Sequence, residues 1–205
     1  MKKIGLMLIA SLFSFSGMAI SVEEHASVYE TYTLEAQGKY GKAIEKMTKI
    51  LEGKSDDYFI NYRLGWLFSL EKKYKNSVDH YKKAGASNPK ALEPWLALSL
   101  LHLNLLDYKN VMTYAEEVIK RDPESYYGNQ RFILAALRMK DYSSALEKVD
   151  EILKAYPTDA IFLEQRAFAL GESGKYDLAK KAVTDLLLIS PSNAYGKYFM
   201  SKPKE

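Results

Sequence analysis

Three histidines, His25, His80 and His102, are the side chains best suited to proton transfer or metal binding near neutral pH. They fall in separate stretches and at unlike phases, so none forms the i, i+4 pair that a zinc-binding helix requires. The carboxylate pairs Glu23-Glu24, Asp56-Asp57 and Glu116-Glu117 are adjacent in sequence. On a helix such neighbours diverge by about 100° and do not cooperate as acid and base. Serine and aspartate are plentiful, yet no Gly-x-Ser-x-Gly elbow occurs and no glycine-rich phosphate loop follows a strand. The chain has no cysteine, which excludes disulfides, thiolate metal sites and a Cys nucleophile. What remains is recognition chemistry. Trp66 lies one helical turn from Tyr62 and Arg63, and aromatic and arginine side chains dominate the energetic centres of binding surfaces. The expectation is a non-catalytic chain without cofactor or metal.

Such side chains need a scaffold, and the scaffold is a repeat. Tyr40, Tyr74, Tyr108, Tyr142 and Tyr176 stand 34 residues apart without one insertion. Lys39, Lys73, Asp107, Asp141 and Lys175 precede them, and Ala43, Ser77, Val111, Ala145 and Ala179 follow three residues later. Pro89, Pro123, Pro157 and Pro191 come fifteen residues after an anchor tyrosine. A fixed period of this length marks stacked supersecondary units, none of which buries its apolar face alone. Within one unit Trp95, Leu98, Ser99 and His102 recur at helical spacing, and the first helix, A, is expected to end near Leu106. A second apolar series, Val111, Ala115, Val118 and Ile119, runs to a stop at Arg121-Asp122-Pro123. Each unit is therefore an antiparallel helix pair, and Gly65 allows close approach of the two helices in the second unit. The expected boundaries are 24–57, 58–91, 92–125, 126–159 and 160–193, with a C-terminal cap over 194–205.

Leu64-Gly65-x2-Phe68…Tyr74…Tyr81…Pro89 and Trp95-x2-Leu98…Tyr108…Pro123 resemble the tetratricopeptide repeat, and the likeness covers roughly Glu24 to Asn193. Departures are Val111 for a small residue, His102 for an aromatic one, Arg166 for an apolar one, and a polar first unit with Ser27, Glu30 and Thr31, as a terminal cap requires. The resemblance implies an all-α, right-handed superhelical solenoid whose helices A line a concave face that holds a partner segment. Projected onto this chain, that face collects Tyr29 and Tyr32, then Phe59, Tyr62, Arg63 and Trp66, then Leu96, Leu100, Leu103 and Asn104. From the last two units come Tyr127, Gln130, Arg131, Leu134 and Arg138, then Glu164, Gln165, Phe168 and Glu172. Packing against neighbouring helices is the competing use of these aromatics. Arg63, Arg131 and Arg138 are suited to receive a carboxylate or an acidic segment through bidentate hydrogen bonds, with pairing to acids of the fold as the competing use. The family's carboxylate clamp requires Lys and Asn where this chain has Val28, Tyr32 and Arg63, which argues against recognition of a chaperone tail.

Met1-Lys2-Lys3, the apolar stretch from Ile4 to Phe15 and the small residues Gly17 and Ala19 have the form of a secretory signal peptide over 1–19, with an uncleaved anchor from Ile4 to Ile20 as the alternative. Export by a bacterium to the periplasm or outside the cell is the expected destination. The 29 Lys and Arg against 26 Asp and Glu become 27 against 26 once Lys2 and Lys3 are removed. Interspersed charges of this kind do not form the basic stripe that nucleic acid needs. The function expected is an interaction adaptor or scaffold of the cell envelope with a protein or peptide partner. The alternatives are a peptide, glycan or small-ligand binding protein, with Tyr62, Trp66 and Tyr127 stacking, and a self-assembling scaffold that meets a second copy through Tyr195, Tyr198 and Phe199.

Overall fold

The computed structural model describes residues 21–201. The segment expected to be a signal peptide, 1–19, lies outside the described residues, as does the end of the cap. In chain order the helices are α1 (Val22–Ala36) and α2 (Tyr40–Leu51), α3 (Tyr58–Leu70) and α4 (Tyr74–Ser87), α5 (Glu93–Asn104) and α6 (Tyr108–Ile119). They continue with α7 (Tyr126–Arg138) and α8 (Tyr142–Ile152), α9 (Ala160–Glu172) and α10 (Tyr176–Ile189), and end with α11 (Ala194–Ser201). No strand occurs among the described residues, and no helix there is long and apolar enough to cross a membrane. Every anchor tyrosine is the first residue of its helix B.

One turn, used five times, reverses the chain between helices A and B. The residue two before each anchor has a positive φ: Gly38 at 69°, Lys72 at 60°, Leu106 at 56°, Lys140 at 60° and Gly174 at 77°. The next N–H then reaches back five positions along the chain by the same bond each time, as in Lys73 N to Phe68 O at 2.9 Å and Asp141 N to Ala136 O at 2.8 Å. This is the Schellman closure of a helix C-terminus, for which glycine is the residue of lowest cost. Helix A of the third unit accordingly ends at Asn104, and Leu106 is the left-handed residue of the turn. The residue before the anchor caps helix B where it is Asp: Asp107 accepts from Asn110 N and Asp141 from Ser144 N. The lysines at that place make no side-chain cap.

The core lies between the helices of each pair and between helix B and the next helix A. Ala43, Ser77, Val111, Ala145 and Ala179, three residues into each helix B, are all fully buried. Ser77 belongs there because its hydroxyl donates to Gly65 O at 2.7 Å. A Cβ on Gly65 would stand 2.6 Å from Tyr81 Cδ1, so the missing side chain is what lets α3 lie on the Tyr81 ring. Arg166, out of place in an apolar pattern, pairs with Asp150 of the preceding helix B at 2.6 Å. Thr31 differs from the expectation of a solvent-facing cap residue. It is fully buried, donating to Val28 O at 2.7 Å and receiving Arg63.

Helices A touch one another from unit to unit, α3 with α5, α5 with α7 and α7 with α9, and among the described residues successive helices B make no comparable contact. The A side is therefore the inside of the curve. α11 starts 34 residues after α9 and occupies the helix A place of a sixth unit. Its Tyr195 and Phe199 pack inward against the last pair, with Tyr195 5.6 Å from the Phe168 ring. Two of the three aromatics expected to meet a second copy are thus used within the chain, because the last helix pair needs a cover.

Gly65→Leu is expected to force Tyr81 and α3 apart and to cost about 1–3 kcal/mol or more, read as a lower denaturation midpoint. Leu106→Gly is expected to raise stability by about 1 kcal/mol, the cost of holding an L side chain in the left-handed region. An unchanged or lower midpoint for Leu106→Gly would contradict the strain assigned to that turn.

Candidate functional site

Between α3 and α5, on the inner side, an open cleft of about 250 Å³ is lined by Tyr62, Trp66, Ser69, Tyr81, Glu93, Leu96, Ala97, Leu100, Leu101 and Asn104, with Arg131 reaching in from α7. Trp66 and Leu100 form opposite rims and are each 40% exposed, which is unusual for large apolar side chains on a helix that packs on both sides. Both stand eight residues before an anchor tyrosine, as do Tyr32, Leu134 and Phe168. One helical phase thus draws an apolar stripe along the inside of the stack. Tyr62 forms the floor, stacked on Tyr58 at 6.1 Å and tilted against Tyr81 at 5.5 Å. Burial raises the Tyr62 hydroxyl above its ordinary pKa, with the Glu93 carboxylate adding to the effect. Tyr58 is raised by the same two causes, and its hydroxyl donates to Glu93 at 3.2 Å.

The arginines are not equivalent to free binding groups. Arg63 is only 5% exposed, forms an ion pair with Glu35, lies 3.9 Å over the Tyr32 ring and donates to Thr31 Oγ1 at 3.4 Å. Glu35 in turn accepts the Trp66 indole N–H at 2.7 Å. Arg63 therefore joins α1 to α3 and positions Trp66 through a shared carboxylate. Arg131 joins α5 to α7 in the same manner, donating to Leu96 O at 2.5 Å and Ser99 Oγ at 2.7 Å. Desolvation lowers its pKa, yet a guanidinium keeps its charge. Arg138 is exposed in the last turn of α7.

Of the sequence-selected residues, the fold gathers Tyr62, Trp66, Asn104 and Arg131 into the cleft. Tyr32 has one ring face against Arg63 and stays 46% exposed, Phe59 packs against the core of Ile44, Met47, Ile60 and Leu64, and Phe168 lies against Tyr195 under the lid. Tyr127 is exposed, 5.8 Å from Arg131 and edge-on to Tyr126, while half-buried Gln130 and exposed Arg138 lie outside the cleft. The histidines are likewise apart. His80 contacts Asn61 Oδ1 at 3.0 Å, and burial lowers its pKa. His102 contacts Asp107 at 3.0 Å. Among the described residues no group of three or more metal-ligating side chains is placed to hold an ion.

No family model matches the chain, and no curated protein matches it significantly in sequence. Solved structures match it in shape. A tetratricopeptide repeat protein from Parabacteroides merdae superposes with a TM-score of 0.71 at 16% identity, over 89% of this chain and 75% of that one. YrrB, described as a TPR protein with an unusual peptide-binding site, gives 0.69 at 15% identity over 88% and 94%. MamA gives 0.69 at 14% identity over 88% and 98%. The chain has the tetratricopeptide-repeat fold.

In a tetratricopeptide-repeat stack the helix A phases predict which residues share a wall, and the phases here contain signals that selection for aromatics and arginine misses. Glu35 and Ser69 stand five residues before an anchor tyrosine and Glu93 stands fifteen before one, phases that face the same inner side. Glu35 is the most consequential, since both Arg63 and the Trp66 rim depend on it. Glu35→Gln is expected to leave the buried Arg63 charge without its counter-charge and to cost about 3 kcal/mol. Glu35→Ala, which also removes the acceptor of the indole N–H, is expected to loosen Trp66. In a Trp95→Phe background, where Trp66 is the remaining tryptophan of two, the emission should shift to the red. A blue shift or an unchanged midpoint would show that Glu35 does not hold this rim.

Proposed function

We propose that this chain is a non-catalytic interaction adaptor of the bacterial cell envelope, holding a segment of a partner polypeptide along its inner groove. The observation that carries the reading is the open cleft whose Trp66 and Leu100 rims stay 40% exposed over a Tyr62 floor. Tyr32, Trp66 and Leu100, left exposed at one helical phase in three successive units, are the arrangement that favours burial by a partner. The description of YrrB as carrying a peptide-binding site supports the choice of occupant. Placement in the envelope is supported by the N-terminal residues Met1 to Ala19 alone. The cleft is open rather than closed and deep, which favours an extended segment over an enclosed small ligand. The absence of clustered acid, base and nucleophile groups in the sequence supports a role without catalysis.

Affinity capture from envelope extract, with the purified chain beside a Tyr62→Ala, Trp66→Ala, Leu100→Ala variant, tests the reading. Circular dichroism first establishes that the two fold alike. Loss of an aromatic anchor from a desolvated site costs about 2 kcal/mol, or roughly thirtyfold in affinity. Proteins held by the chain and lost from the variant are expected. Equal capture by both would move the interface off the inner groove. Amino-terminal sequencing of the exported chain is expected to begin at Ile20.

A further inference from the structure

The two arginine joints are built on one plan, and one of them is incomplete. Arg63 and Arg131 each stand eleven residues before an anchor tyrosine, and each donates to a buried hydroxyl 32 residues earlier, Thr31 or Ser99. In the first joint Glu35, 28 residues before Arg63, supplies the counter-charge. The residue 28 before Arg131 is Leu103, which is half-buried and uncharged. Among the described residues no carboxylate pairs with Arg131, whose hydrogen-bonding partners are a carbonyl and a hydroxyl. The guanidinium is partly buried, its hydrogen-bonding partners are neutral, and it borders the cleft between Trp66 and Leu100, which the Glu93 carboxylate also lines.

We propose that Arg131 receives the side-chain carboxylate of an Asp or Glu in the partner segment, while a large apolar side chain of the same segment enters between Trp66 and Leu100. The proposal rests on the groove reading above and specifies the chemistry of its occupant. At the same phase Tyr32 of the first unit stays 46% exposed on one side of the cleft and half-buried Leu134 stands on the other. A segment lying along that phase brings a side chain to Arg131, not a chain end.

The test is a selection from two random decapeptide libraries, one acetylated and amidated and one with free C-termini, on the immobilised chain. Blocked peptides that share an Asp or Glu within two positions of a large apolar residue are expected. Changing that acid to its amide should weaken binding at least tenfold. Leu103→Glu rebuilds the first joint and leaves the bonds of Arg131 to α5 in place, so it should fold and melt no lower than the parent chain. In that variant the preference for the acid over its amide should collapse to about one, as it should in Arg131→Met. Enrichment of blocked peptides without acids, or an acid preference that survives Leu103→Glu, would overturn the carboxylate assignment, and the groove reading would stand provided Trp66→Ala abolishes binding. Enrichment confined to free C-termini would overturn the choice of an internal side chain. No enrichment in either library, or binding indifferent to Trp66→Ala, would overturn both readings.

Discussion

Each helix pair of this solenoid turns on a single hydrogen bond, from the N–H before the anchor tyrosine to the carbonyl near the end of helix A, and that bond requires a left-handed residue between them. The bond fixes the angle at which helix B leaves helix A. Because the turn has one geometry in all five units, the phase of every side chain relative to the anchor is also common to all five. The apolar stripe of Tyr32, Trp66, Leu100, Leu134 and Phe168 is a consequence of that constancy. Three of the five turns hold it with Lys72, Leu106 or Lys140 in place of glycine. The conformational cost is borne there because the pairing of helices on either side over-determines the turn.

Contacts between units are of two kinds. Apolar packing of helix B on the next helix A is repeated with variations in volume: the Trp95 ring of α5 lies against Gly85 of α4, and Val118 of α6 lies against Gly128 of α7. Polar contacts between successive helices A are sparse and specific. Arg63 and Arg131 make them in alternate junctions, each to a hydroxyl that the apolar pattern leaves inside the stack. Buried Thr31 and Ser99 donate to Val28 O and Leu96 O within their own helices and accept from the arginine of the following unit, which is why polar side chains belong there.

The architecture was legible because five tyrosines in strict register leave one arrangement of helices. The all-α repeat of antiparallel helix pairs, each helix B opening on its anchor tyrosine, followed from it. The turn was less legible, since Leu106 reads as the end of an apolar helix and nothing in an isolated Leu announces a positive φ. The site was legible in part. Phase identifies which residues face inward, but Phe59, Arg63 and Phe168 face inward and are consumed by packing or pairing. Only a junction seen with its neighbour shows this. Glu35 is the clearest case: its role depends on two residues about thirty positions later, Arg63 and Trp66.

Nearest-neighbour stacking explains how such a groove survives. In a compact domain, exposed Trp66 and Leu100 and a guanidinium with neutral partners would burden one cooperative core. In a solenoid each unit touches only the adjacent ones, so the cost at the α3, α5 and α7 junctions is met by those junctions. The first junction carries a charge-compensated Arg63–Glu35 pair, and the last is covered by its aromatic lid. Ends fray first in such a stack, so the ends carry the pairing and the cover that hold them down. The central units are the ones whose inner surface can be given over to a partner, and they are the ones where the structure leaves apolar area and positive charge unspent.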